Sequence, residues 1–196
     1  VTSGGGPVVG ATVTVSGVTH RLPIPNMVVA TQNPIEIAGT YGLGEGSLDR
    51  FTAVVSPGRA APAFELDVLT GRRGRTMLSA IEPITTPDVI VALQREVATV
   101  YVSDAVGAYV VDILTATRNH PEARLGASTR AGVSLIALAR ARAAMHGRTY
   151  VVPDDVASLS VTSLGHRVRV ANSNGSTTAG CALVAECVAS VAPPTA

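Results

Sequence analysis

Three side chains in this sequence combine a residue type and a position that could do chemistry: Asn33, Arg50 and Arg130. Asn33 follows the short apolar run Asn26-Met-Val-Val-Ala30 and precedes Pro34. A continuous apolar run of this kind predicts a strand buried on both faces, as in a parallel sheet. In open α/β sheets ligands sit beyond the carboxyl ends of the strands. A carboxamide placed there can orient a water or a phosphate, although Gln32-Asn33-Pro34 also reads as a plain turn. Arg50 lies in Leu48-Asp-Arg-Phe51, between two apolar anchors. Its planar guanidinium suits bidentate phosphate contact and the charge on a transferring phosphoryl group. The competing reading is a surface Asp49–Arg50 pair worth little energy. Arg130 lies in Gly126-Ala-Ser-Thr-Arg130, near the second position of a helix. A cation there opposes the helix dipole, whereas a bound phosphate would welcome both the cation and the free backbone N–H groups. Alternatively Arg130 faces solvent and its stem covers apolar surface.

The elements that must carry these residues follow from turns and periodicity. Ala11 to Val15 and Val18 to Leu22 alternate around Ser16-Gly17, the pattern of a β-hairpin. Ile37 to Gly46 is Gly-rich and predicts a loop; Leu48 to Phe51 could start a helical turn, and Phe51 to Val55 reads as a second strand. Beyond Ser56-Pro-Gly58 the character becomes helical. Ala63 to Leu69 predicts one helix, and Gly71 to Arg75 a basic loop. Thr86-Pro87 opens a helix to about Val97. Ser103 caps a helix carrying Val106, Val110, Ile113 and Leu114 at helical spacing and ending near Asn119. Ser128 caps the helix that bears Arg130, with Gly147 just past its end. Pro153-Asp-Asp155 opens another helix with acidic residues in its first turn. A last amphipathic segment runs from about Thr178 to Val191. The expected division is an α/β part over 1–60 and an all-helical part over 61–196.

Composition narrows the chemistry. With 46% hydrophobic residues in 196, the chain can bury a core. A net charge of +1 and 3% aromatic residues argue against a nucleic-acid binder. All 15 basic residues are Arg, which excludes a Schiff-base lysine and a phosphate-loop lysine within this chain. His20, His120, His146 and His166 lack ligand spacing, so no metal site is expected. Cys181 and Cys187 imply neither a metal site nor a disulfide framework, and a reducing, cytoplasmic setting is the expectation. The longest apolar stretch, near Cys181 to Ala192, is interrupted by Glu186 and too short to span a bilayer, and no signal-peptide pattern is visible.

In order and spacing, the segments Val29-Ala-Thr-Gln-Asn-Pro-Ile-Glu36, Gly39-Thr-Tyr41, Leu48-Asp-Arg-Phe51, Gly126-Ala-Ser-Thr-Arg-Ala131, Ala139-Arg-Ala141, Gly147-Arg148, Tyr150-Val151, Pro153-Asp-Asp-Val156 and His166-Arg167 resemble the MoxR family of AAA+ ATPases. The resemblance runs from about Ala11 to the Pro193 region. It implies the end of a P-loop NTPase α/β core followed by an all-α lid. It implies that Asn33 is the sensor-1 residue, Arg50 the arginine finger that reaches a neighbouring subunit's nucleotide, and Arg130 the sensor-2 arginine of the lid. It further implies ATP and Mg²⁺ as cofactors, a ring oligomer, usually a hexamer, and partners with von Willebrand factor type A domains in maturing protein complexes. The family's phosphate loop, G-x-x-x-x-G-K-S/T, and its Walker B acidic pair are not in this sequence. Without a cradle for the phosphates and a holder for Mg²⁺, the chain alone is expected not to hydrolyse ATP. The alternative is a non-enzymatic module that docks onto intact AAA+ subunits.

Overall fold

The computed structural model describes residues 12–32, 44–72, 80–171, 173 and 176–195. The chain opens with a two-stranded antiparallel hairpin, β1 (Thr12–Val15) and β2 (Val18–Arg21), in which Val15 faces Val18 and Thr12 faces Arg21. Ser16 and Gly17 both take positive φ, 51° and 82°, as a two-residue turn matched to the strand twist requires. The hairpin is as the alternation predicts, but both its faces are exposed.

Two predicted strands do not form. Asn26 to Ala30 has no ladder partner among the described residues, and Met27 and Val29 are 84% and 72% exposed. A β-strand is defined by its neighbour's hydrogen bonds, and an apolar run supplies only the side chains. Phe51 to Val55 is likewise irregular, and several of its backbone groups bond elsewhere, as described below. The helical turn expected from Leu48 falls slightly earlier, as the short α1 (Glu45–Leu48).

The helices follow their caps. Pro62 occupies the first turn of α2 (Pro62–Leu69), and the Thr86 side chain accepts from the Val89 N–H, 3.5 Å away, at the start of α3 (Pro87–Thr99). Neither helix has a buried residue. The basic loop after Gly71 lies largely outside the described residues.

From Val100 onward the chain builds a core of its own. Ser103 caps α4 (Asp104–Asn119), which buries Val106, Tyr109, Val110, Ile113, Leu114 and Thr117 along one stripe. A short strand β3 (Ala123–Leu125) leads to Ser128 and α5 (Thr129–Met145), which is closed by Gly147 at φ 69°. Next come α6 (Pro153–Leu164), β4 (Arg169–Val170) and α7 (Thr177–Ser190). β3 and β4 pair antiparallel, a small sheet that periodicity did not reveal within the expected all-helical part. α5 packs on α6, and α6 on α7, around Ile113, Leu135, Val156, Leu164, Val168 and Val184, all 0% exposed. Gly180 makes the last contact possible, since a Cβ there would meet the Gly165 carbonyl oxygen at 2.3 Å. The α5–α6 junction is held by Asp155, whose buried carboxylate accepts from Arg148 Nη1 and Nη2 at 2.6 and 2.7 Å and from the Val152 N–H at 3.0 Å. Burial pushes the Asp155 carboxyl upward, but these donors and the Arg148 and Arg142 charges outweigh it and hold it below the usual carboxylate range.

Candidate functional site

The loop that carries Arg130 into place is fixed from α4. Thr117 Oγ1 accepts from the Ala127 N–H at 3.0 Å and donates to the Leu114 carbonyl at 2.7 Å. Arg118 Nε donates to the Ala127 carbonyl at 2.8 Å. Ser128 then caps α5 by accepting from the Ala131 N–H at 3.2 Å. Arg130 follows two residues later and is exposed.

Arg50 sits in the turn after α1, where its N–H bonds the Ser47 carbonyl at 3.2 Å, and its side chain is exposed. The expected Asp49–Arg50 surface pair is replaced by a longer-range arrangement. Ser128 Oγ donates to Asp49 Oδ1 at 3.1 Å, and Arg167 Nε lies 3.9 Å from the same oxygen. The residue before Arg50 is thus hydrogen-bonded to the cap of the helix that bears Arg130. Asn33 lies outside the described residues.

Immediately past Arg50, the backbone is gripped by the segment between α6 and β4. The Phe51 carbonyl accepts from Arg167 Nη2 at 2.6 Å and from His166 Nε2 at 3.0 Å, which makes Nε2 the protonated ring nitrogen. Ser163 Oγ donates to the Thr52 carbonyl at 3.3 Å, and the Val54 N–H to the Thr162 carbonyl at 3.0 Å. Arg167 is 4% exposed; its Nη2 also reaches Ser134 Oγ at 3.2 Å, and its Nη1 has no hydrogen-bond partner among the described residues. Burial lowers the Arg167 pKa, Asp49 opposes that, and Arg130 adds to it, so Arg130 is close enough for its charge to be felt. Burial, with the Arg167 and Arg169 charges, likewise holds His166 below its ordinary value against the Phe51 carbonyl and Asp49. A pocket of about 320 Å³ opens here, bordered by Asp49, Gly126, Ser128, His166, Arg167 and Arg169. It is a cation-rich concavity beside a helix N-terminus, which is chemistry suited to an anion.

Against known proteins, the description "ATPase family associated with various cellular activities (AAA)" matches residues 8–53, and "AAA lid domain" matches residues 115–185. The chain is 36% identical over 165 residues to Chaperone MoxR1 of Mycobacterium tuberculosis, covering 80% of this chain and 43% of the relative. It is 41% identical over 156 residues to the uncharacterized protein YeaC of Bacillus subtilis, covering 80% of this chain and 49% of the relative. The crystal structure of a candidate ATPase from Cytophaga hutchinsonii superposes with a TM-score of 0.77 at 26% identity, over 94% of this chain and 59% of that one. The chain belongs to the MoxR family of AAA+ ATPases. It spans about half the length of the curated relatives it matches. Its fold is accordingly part of a AAA+ α/β core followed by the helical lid.

AAA+ ATPases as a class use a nucleotide with Mg²⁺ and are typically oligomeric. For an anion, the described residues of this MoxR-family chain offer the exposed Arg130 near the start of α5. For the metal they offer no group of three His, Cys, Asp or Glu side chains that could hold an ion. Among the described residues no helix is long and apolar enough to cross a membrane. Sequence reasoning singled out Arg50 and Arg130 individually. It missed that Asp49, Ser128, His166 and Arg167 join their two segments. His166-Arg167 was visible only as one dipeptide in an ordered set of motifs; that both side chains are buried and turn back to Phe51 is a long-range property.

Proposed function

We propose that this chain supplies the trans-acting arginine and the sensing lid of a MoxR-like ATPase. ATP hydrolysis in the intact ring drives chaperone-like remodelling or maturation of protein complexes. In this reading residues 1–60 close the α/β core and 61–196 form the lid. Asn33 orients the attacking water, and Arg130 contacts the phosphates of its own subunit's nucleotide. Arg50 stabilises charge on the phosphoryl group bound by the next subunit in a cytoplasmic hexamer. Clients reach the ring through partners with von Willebrand factor type A domains. ATP and Mg²⁺ are held chiefly by a phosphate loop and an acidic pair outside this sequence.

The observation that carries the reading is the Ser128–Asp49 hydrogen bond. It joins the segment presenting Arg50 to the helix start presenting Arg130, which is the coupling a ring needs between its own and its neighbour's nucleotide. The decisive experiment is steady-state hydrolysis by the full-length subunit. Arg50→Ala is expected to cut turnover about 10³-fold with little change in ATP affinity. Arg130→Ala is expected to weaken nucleotide binding. Unaltered turnover in Arg50→Ala removes the reading. The isolated chain is expected to show no hydrolysis, and a turnover that disappears with Arg130→Ala would overturn that.

The absence of Lys anywhere in the chain favours one second reading, a non-enzymatic module that docks onto intact subunits. Mixing the chain with an intact homologue tests it, since any stimulation should vanish with Arg50→Ala.

A further inference from the structure

We propose that His166 and Arg167 are positioning residues for Arg50, tying the finger segment to the lid of its own subunit so that the two move as one body. This rests on the reading of Arg50 above. Four hydrogen bonds fasten residues 51–54 to the region from Thr162 to Arg167: two onto the Phe51 carbonyl, one onto the Thr52 carbonyl and one from the Val54 N–H. These are backbone groups of the finger segment, so the tie fixes main-chain position whatever the side chains there are. Phe51 to Val55 forms no strand, and three of its backbone groups, the Phe51 and Thr52 carbonyls and the Val54 N–H, are taken by the lid. Asp49 fastens the other side of Arg50, bonding Ser128 and facing Arg167. Arg50 is therefore the exposed tip of a turn clamped at both flanks, by α5's cap on one side and the α6–β4 segment on the other.

The electrostatics suit a tie rather than a ligand contact. Arg167 is almost fully buried, faces Asp49 and stands in the field of Arg130, while the neutral His166 spends its one proton on Phe51. A shift of α5 driven by a nucleotide at Arg130 would pull Ser128, then Asp49, and so re-aim Arg50. Lid closure in one subunit would set catalysis in the next.

Two measurements separate this claim from the reading beneath it. The first is amide exchange on this chain, followed at Val54. Arg167→Gln is expected to speed Val54 exchange about tenfold, the equivalent of one net hydrogen bond, with the amides of α6 from Ser160 onward unchanged. Asp49→Asn, at a half-exposed turn residue, asks the same if Arg167→Gln fails to fold. Unchanged Val54 exchange in a folded variant overturns the tie, whatever Arg50 does. The second is turnover of the full-length subunit. Arg167→Gln should lower kcat with KM for ATP unchanged, and should add nothing to Arg50→Ala. A further loss in the Arg50→Ala background overturns the positioning role. Turnover indifferent to Arg50→Ala itself removes the finger reading and leaves the tie to be judged by exchange alone.

Discussion

The chain has two regions built to different standards. From Val100 to Cys187, helices close around side chains with essentially no exposure; before Val100, hairpin, α1, α2 and α3 contribute no buried hydrophobic residue among those described. Yet the elements of the first region form where their turns and caps require: Ser16-Gly17 turns the hairpin, Pro62 opens α2 and Thr86 caps α3. The difference teaches that local signals suffice to shape an element, and that burial comes only from a partner. α3 keeps Val89 and Leu93 about half exposed, an apolar stripe of helical spacing without a covering face among the described residues. Phe51 to Val54 bridges the regions, borrowing its order from the lid.

The sharpest way to test that contrast is cavity formation. Leu135→Ala, at a fully buried site in α5, is expected to cost about 2–5 kcal/mol, read from denaturant unfolding. Leu69→Ala, at an 84% exposed site in α2, should stay within about 0.5 kcal/mol. Equal losses at the two sites would erase the distinction.

Next in size is overpacking. Gly180→Ala places a methyl 2.3 Å from the Gly165 carbonyl oxygen and 2.6 Å from that of Val168, both backbone atoms that cannot swing aside. The expected loss is about 1–3 kcal/mol, whereas Gly107→Ala, with nothing within 4 Å, should be neutral or slightly stabilising.

A smaller effect sharpens the bridge between the regions. His166 is held below its ordinary value of 6.5, by burial first and then by Arg167 and Arg169, with Phe51 and Asp49 acting the other way. The unfolded chain therefore binds the proton more readily than the folded one. Stability is full above about pH 6.5 and falls as the pH drops toward the folded-state pKa. His166→Gln, which keeps a donor for Phe51, should flatten that stretch of the curve, leaving the acid loss due to Asp155, whose pKa is also lowered. A slope unchanged in His166→Gln assigns the proton elsewhere. Smallest of all, Ser163→Ala removes the 3.3 Å bond to the Thr52 carbonyl and should cost about 0.5–1 kcal/mol, with exchange rising at residues 52–54 only.

Much of the fold was legible because it is written in short range. Ser103, Ser128 and Gly147 punctuate helices through bonds to residues three or four away, and Val106, Val110, Ile113 and Leu114 repeat at the helical period. The β3–β4 pair was not legible, since three- and two-residue strands leave no periodic trace. The strands expected at Asn26 to Ala30 and Phe51 to Val55 were over-read for the reverse reason. Apolar β-branched runs fit a strand, but only a neighbouring backbone makes one.

From its residues alone, the chain determined which chemistry it can offer: guanidinium groups at Arg50 and Arg130, no lysine, and helix starts capped by hydroxyls, since these depend on residue type and near neighbours. That Asp49 turns away from Arg50 to Ser128, and that His166 and Arg167 close on the Phe51 carbonyl, was decided in three dimensions. Those contacts join residues 79 to 116 positions apart, and only a folded lid core brings such distant polar groups within hydrogen-bonding range and out of water, where each must find a partner.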